Sequence, residues 1–174
     1  MTIRKILTEP DPFLRQKSEK VEEVNKEIRS LMDDMLETMY NAPGIGLAAI
    51  QVGVPKRVIV IDLSRDDEEK KPFYFVNPEI INNSNNNTAY EEGCLSVPGQ
   101  FAEINRPDKC EIKYLDYNGK EQILSASGLL ATCIQHEIDH LEGILFIDYL
   151  SKLKKNMIVK KLSKQKKSLE RIVV

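Results

Sequence analysis

The chain has 174 residues, 41% of them hydrophobic and 30% charged, which suits one domain with its own core and excludes a large multidomain machine, a fibre and wholesale disorder. No apolar run approaches the ~18 residues of a membrane span, and the N-terminal segment lacks a secretory apolar stretch. The three cysteines, Cys94, Cys110 and Cys133, are odd in number and widely spaced, so free thiols or a metal ligand are expected in place of a disulfide framework, in a cytoplasmic setting. Net charge is −2, yet Ser151 to Val174 holds nine basic residues and one acid, so the tail is a separate electrostatic object on an otherwise acidic chain.

In chain order, Ile28, Leu31, Met32, Met35, Leu36 and Met39 recur at helical spacing, with Asn25 able to cap the start and Pro43-Gly44 ending the run. Such a methionine-rich stripe reads as core. A Gly-rich segment from Gly44 to Gly53 precedes the β-branched run Arg57–Leu63, a buried strand. Arg65 to Lys71 reads as a charged loop, Phe73 to Ile81 as a strand, and Asn82 to Asn87 as a solvated turn. Cys110–Tyr117 and Lys120–Ala126 read as a hairpin joined by a type I′ turn at Asn118-Gly119. Ser127-Gly128 opens a helix reaching about Glu142, with Gly143 as its stop, and the tail forms a last helix with one apolar stripe of Leu153, Met157, Ile158 and Leu162. Strands gathered in the middle, with helices before, after and on one side, predict an α+β fold.

The chemistry concentrates in Gln135-His136-Glu137-Ile138-Asp139-His140, an H-E-x-x-H motif within a predicted helix. Residues four apart project from one helical face, so His136 and His140 can grip one metal ion while Glu137 lies beside them. A catalytic ion usually takes three protein ligands, and a third must come from elsewhere. The downstream glutamate of thermolysin-like sites has no counterpart, because the acids after Glu142 are Asp148 and Glu170, and a third histidine does not exist. Upstream, Cys94 in Glu91-Glu92-Gly93-Cys94-Leu95-Ser96-Val97-Pro98 would complete a Cys, His, His set, although a lone cysteine is as a rule a small buried residue.

Three segments in order resemble the motifs of the peptide deformylases: Gly44-Ile45-Gly46-Leu47-Ala48-Ala49-Ile50-Gln51, Glu92-Gly93-Cys94-Leu95-Ser96 and Gln135 to His140. The likeness runs from Asp11-Pro12-Phe13-Leu14-Arg15 to the final helix. It implies antiparallel or mixed sheets around a central H-E-x-x-H helix, flanked by N-terminal helices and a C-terminal one. It also implies a single catalytic domain over 1–150, with the basic helix 151–174 part of the same unit. The implied reaction removes the N-formyl group from the initiator methionine of nascent peptides and releases formate.

In that reading Cys94, His136 and His140 hold a divalent ion that lowers the pKa of its water toward ~7, and Glu137 serves as base and then acid. Gln51 and the Leu95 backbone N–H stabilise charge on the formyl oxygen. Gly46 and Gly93 admit an extended peptide strand, and Ile45, Tyr90, Leu129 and Cys133 line the methionine pocket. The resemblance implies Fe2+ in the cell, with Zn2+ or Ni2+ in purified material, and a thiolate ligand makes air sensitivity expected. Phe101 stands where some relatives carry a substrate-contacting arginine, for which Arg106 is a candidate replacement. Lys152, Lys154, Lys155, Lys160, Lys161, Lys164, Lys166, Lys167 and Arg171 form a basic strip suited to ribosomal RNA, or simply a solvated face; no membrane or DNA partner is expected. A zinc endopeptidase and an RNA-binding module with a structural metal remain open as alternatives.

Overall fold

The computed structural model describes residues 1–172. Val173 and Val174, the end of the expected tail, lie outside them, as does the side chain of Arg171. After a 3-10 turn at Pro12–Arg15, helix α1 spans Lys26–Asn41, its first turn capped by the Asn25 side chain accepting from the Ile28 N–H at 3.0 Å. Leu31, Met32, Met35 and Met39 are buried along its length, so the methionine stripe is core.

Seven strands follow: β1 (Gly46–Ala48), β2 (Val58–Ile61), β3 (Phe73–Asn83), β4 (Asn87–Cys94), β5 (Val97–Pro107), β6 (Lys109–Leu115) and β7 (Glu121–Ser127). Five form one antiparallel sheet in the order β1-β2-β3-β6-β7, while β4 and β5 make a separate antiparallel ribbon. Successive side chains of a strand point to opposite faces, and β2 is buried on both. Val58 and Val60 join the methionines of α1, whereas Ile59 and Ile61 join Ile134 of helix α2 (Gly128–Leu141). Double burial explains why the run carries no polar alternation. Helix α2 packs against β1, β2 and β7 of the sheet and against β4 and β5 of the ribbon. The H-E-x-x-H helix is therefore the central element of an α+β fold.

A third cluster unites Val97 and Ile104 of the ribbon with Leu145, Phe146, Ile147 and Leu162, which anchors helix α3 (Lys152–Ile172) through a 3-10 turn at Phe146–Tyr149. No helix of the described residues is long and apolar enough to cross a membrane.

Four local expectations change. Asn82 and Asn83 belong to β3, paired with Glu111 and Cys110, and Asn87 begins β4, because ladder bonds to β6 and β5 satisfy their backbones. The hairpin turn is a five-residue loop between Leu115 and Glu121: Asp116 Oδ1 accepts from both the Asn118 and Lys120 N–H groups, and only Gly119 has a positive φ, where type I′ needs two. Strand β5 had no counterpart in the sequence reading. The tail's apolar stripe splits, since Leu162 and Ile158 pack into the third cluster while Leu153 and Met157 stay 72% and 63% exposed.

Candidate metal centre

Helix α2 is buried nearly all round, as an element held between two layers must be. Its Gln135 amide donates to the carbonyls of Pro107 at 2.9 Å and Ala131 at 3.0 Å, tying the helix to the end of β5. One residue on, His136 and His140 bring their rings to 5.1 Å centroid separation, and Phe146 stacks on His136. Across from them the β4–β5 ribbon, with a bulge between Glu92 and Cys94, delivers the thiol. Cys94 Sγ lies 3.3 Å from His140 Nε2, and one donor atom from each of Cys94, His136 and His140 falls within 4.8 Å of the others.

The donor set fits a divalent ion. His136 Nδ1 donates to Glu92 Oε1 at 2.8 Å, which fixes the ring and leaves Nε2 as the nitrogen an ion would take. Burial opposes charge on His136, but hydrogen bonds to Cys94 and Glu92 prevail and hold its pKa well above the ordinary value. Burial and the neighbouring His136 push His140 well below it, keeping that imidazole neutral. No fourth histidine, cysteine or carboxylate joins the group among the described residues, as an open site requires and a closed structural zinc site does not.

Glu137 sits beside this cluster with its pKa raised to about 7. Burial is the main cause; Glu92 and Asp139 add to it, while His136 and Arg106 oppose it. Its Oε2 is buried without a partner. Gln51 is also buried: its Oε1 accepts from the Ala48 N–H at 2.8 Å, and its Nε2 donates to Ser96 Oγ at 3.0 Å and approaches Cys94 Sγ at 3.6 Å. The Gly-rich segment and the cysteine strand are thereby stitched together at the site.

A cavity of about 450 Å³ opens onto these groups. Its lining brings together Ile45, Gly46, Gln51, Tyr90, Gly93 and Cys94, with Leu95, Leu129, Cys133, His136 and Glu137 on the remaining walls. His140 lies behind the wall, 1% exposed. Gly44 lets the chain pass against Leu95, since a Cβ there would come within 2.6 Å of Leu95 Cδ1.

Two residues gain roles the sequence left unassigned. Arg106, 5% exposed, donates from Nε to Glu92 Oε2 at 2.7 Å, from Nη2 to Glu92 Oε1 at 3.0 Å and from Nη1 to Asp139 Oδ2 at 2.8 Å. It is committed to the protein interior and does not replace an arginine at Phe101, which stands 65% exposed on the cavity edge against Gly93. Glu92 is the shared acceptor of Arg106 and His136. The signal for both was a charged residue on the inward register of a strand, Arg106 two positions after buried Ile104.

The profile of the family described as polypeptide deformylase matches residues 3–156. A peptide deformylase of Pelagibacter ubique (strain HTCC1062) is 68% identical over 174 residues, all of both chains, and one of Phenylobacterium zucineum (strain HLK1) is 60% identical over 97% of this chain and 99% of its own. Among solved structures, a peptide deformylase from Ehrlichia chaffeensis in complex with actinonin superposes with a TM-score of 0.91 at 47% identity, covering 95% of this chain and 98% of that one.

Proposed function

The chain belongs to the peptide deformylase family, metal-dependent hydrolases of N-formylmethionyl peptides, and we propose that Cys94, His136 and His140 hold its ion while Glu137 carries the proton. The observation that carries this assignment is the meeting of one thiol and two imidazoles within 4.8 Å, with Cys94 and His136 on the wall of a peptide-sized cavity and His140 just behind it. When bound, the ion supplies Lewis acidity to water and to the formyl oxygen, and lowers the pKa of that water toward neutrality.

The protein's own groups do the rest. Glu137, poised near pH 7 and with Oε2 unpartnered, takes a proton from the attacking water and returns it to the departing amine. Gln51 and Leu95 both line the cavity, and the Gln51 Nε2 and the Leu95 backbone N–H donate to the oxygen on which charge develops. Glu92 keeps His136 in one orientation, and Arg106 keeps Glu92 charged. Ile45, Leu129 and Cys133 give the first side chain an apolar seat, with Tyr90 beside them, and Gly46 and Gly93 leave room for the peptide backbone.

The ion is Fe2+ in the cell, Zn2+ and Ni2+ being the forms that survive air, since a thiolate and a ferrous ion are both oxidisable. The exposed lysines of α3 dock the enzyme on ribosomal RNA in the cytoplasm, where the substrate emerges. The deciding experiment purifies the protein anaerobically with iron and follows formate release from a formyl-Met peptide. Turnover that requires the ion and Glu137 is expected; cleavage of internal peptide bonds in its place would overturn the reading in favour of an endopeptidase.

A further inference from the structure

Tyr149 stands in the 3-10 turn Phe146–Tyr149 that links α2 to α3, outside the cavity lining. Its hydroxyl donates to Asp139 Oδ2 at 2.7 Å, and its ring lies over the Arg106 guanidinium at 5.0 Å from the centroid. Arg106 in turn grips both Asp139 and Glu92, and Glu92 holds His136 Nδ1. An unbroken path of five side chains thus runs from the half-exposed tyrosine to a metal-binding imidazole. Arg106 is only 5% exposed, and the ring covering it keeps water from the paired charges.

We propose that Tyr149 is a positioning residue for the metal centre, holding His136 through Asp139, Arg106 and Glu92; this rests on His136 being an ion ligand. Ion pairs weaken as water reaches them, because the effective dielectric rises. Uncovering Arg106 loosens its hold on Glu92, and Glu92 then constrains the histidine less. Losing the direct partner of a ligating histidine costs about 10–100-fold in metal affinity, so a residue further out along this path is expected to change metal release about threefold to tenfold.

The test measures zinc release from the zinc-loaded full chain to an excess of a chromophoric chelator, together with the visible spectrum of the cobalt-substituted protein. Tyr149→Ala is expected to release zinc about threefold to tenfold faster than the native protein and to shift the cobalt bands. Tyr149→Phe keeps the ring over Arg106 and should fall between the two. Met32→Ala, a core truncation in α1 remote from the site, serves as the control for lost stability. Native-like release from Tyr149→Ala, or release no faster than from a Met32→Ala protein of equal stability, would overturn the proposal. Failure of the metal-site assignment itself would show differently, as a Cys94→Ser protein that binds zinc like the native one.

Discussion

Gly46 stands against the carboxylate of Glu137: a Cβ at position 46 would lie 2.5 Å from Glu137 Oε1 and 3.1 Å from its Cδ. The contact is with the very group assigned to proton transfer, so the glycine is needed for space. Gly46→Ala is therefore expected to displace the carboxylate and lower kcat about a hundredfold, the order lost when a catalytic group moves by about 1 Å. Metal content should be unchanged, because the three atoms nearest the new methyl group all belong to Glu137 and none to Cys94, His136 or His140. Steady-state kinetics with metal analysis checks both halves.

Variants at Glu137 and Cys94 should separate chemistry from binding. Glu137→Ala should retain the ion and lose nearly all turnover, whereas Cys94→Ser should lose much of the ion itself, since an unionised hydroxyl is a poor exchange for a thiolate. Metal analysis of the two proteins after dialysis, beside formate release, distinguishes the roles. Loss of metal in the Glu137 variant alone would contradict them.

Arg106→Met removes a guanidinium that is 6% exposed at its side chain and leaves Glu92, at 5%, with an uncompensated charge. Breaking a buried pair on one side costs about 3–5 kcal/mol. Burial raises the Glu92 pKa, yet its bonds with His136 and Arg106 more than offset this and keep it below the usual glutamate value. Urea unfolding should show the loss, and Glu92→Gln combined with Arg106→Met should restore part of it, because the more deeply buried of the two carboxylates that Arg106 pairs is then no longer stranded.

The helices and central strands were legible because their apolar periods were long and uninterrupted: α1 from its methionines, α2 from its motif and β2 from its β-branched run. The clustering of Cys94, His136 and His140 was legible for another reason, the scarcity of alternatives in a chain with two histidines. Strand β5 was hidden because its inward register reads Ala102, Ile104, Arg106, with a glycine and two prolines in its span, and a buried arginine breaks the alternation. That same arginine carries the support of the site. The hairpin turn misled because Asn118-Gly119 fits type I′ locally, while Asp116 captures two backbone N–H groups and selects a longer loop. In α3 the apolar stripe could not reveal that only the Ile158 and Leu162 side meets the ribbon.

If α3 docks on ribosomal RNA, binding should weaken steeply with salt, since each phosphate contact releases counterions. Replacing Lys160, Lys164 and Lys167 with glutamine removes exposed charges without touching Leu162, which anchors the helix. The variant is expected to sediment less with ribosomes at low salt and to show a shallower salt dependence by about 2–3 in log–log slope. Deformylation of a short formyl-Met peptide should be unaffected. Equal sedimentation by both proteins would reduce the strip to a solvated helix face.

Asp148 joins the N-terminal leader to the start of α3: Arg15 Nη1 donates to its Oδ2 at 2.6 Å, and Lys155 Nζ lies 2.7 Å from its Oδ1. Burial alone would raise its pKa, but Arg15, Lys155 and the Leu145 N–H prevail and hold it below the ordinary aspartate value. A carboxyl depressed in the folded state binds its proton more readily when unfolded. Its contribution is therefore complete above the unfolded value of about 3.9 and disappears as pH falls through the lower folded value. Asp148→Asn should destabilise the protein by about 1–2 kcal/mol at pH 7, a discounted figure for a pair whose arginine is about one-third exposed. Urea unfolding of both proteins from pH 7 down to 3 should show this gap holding to about pH 4 and narrowing below it. A gap that widened in acid would mean that the carboxyl is stabilised in its protonated form, contrary to the two cations around it.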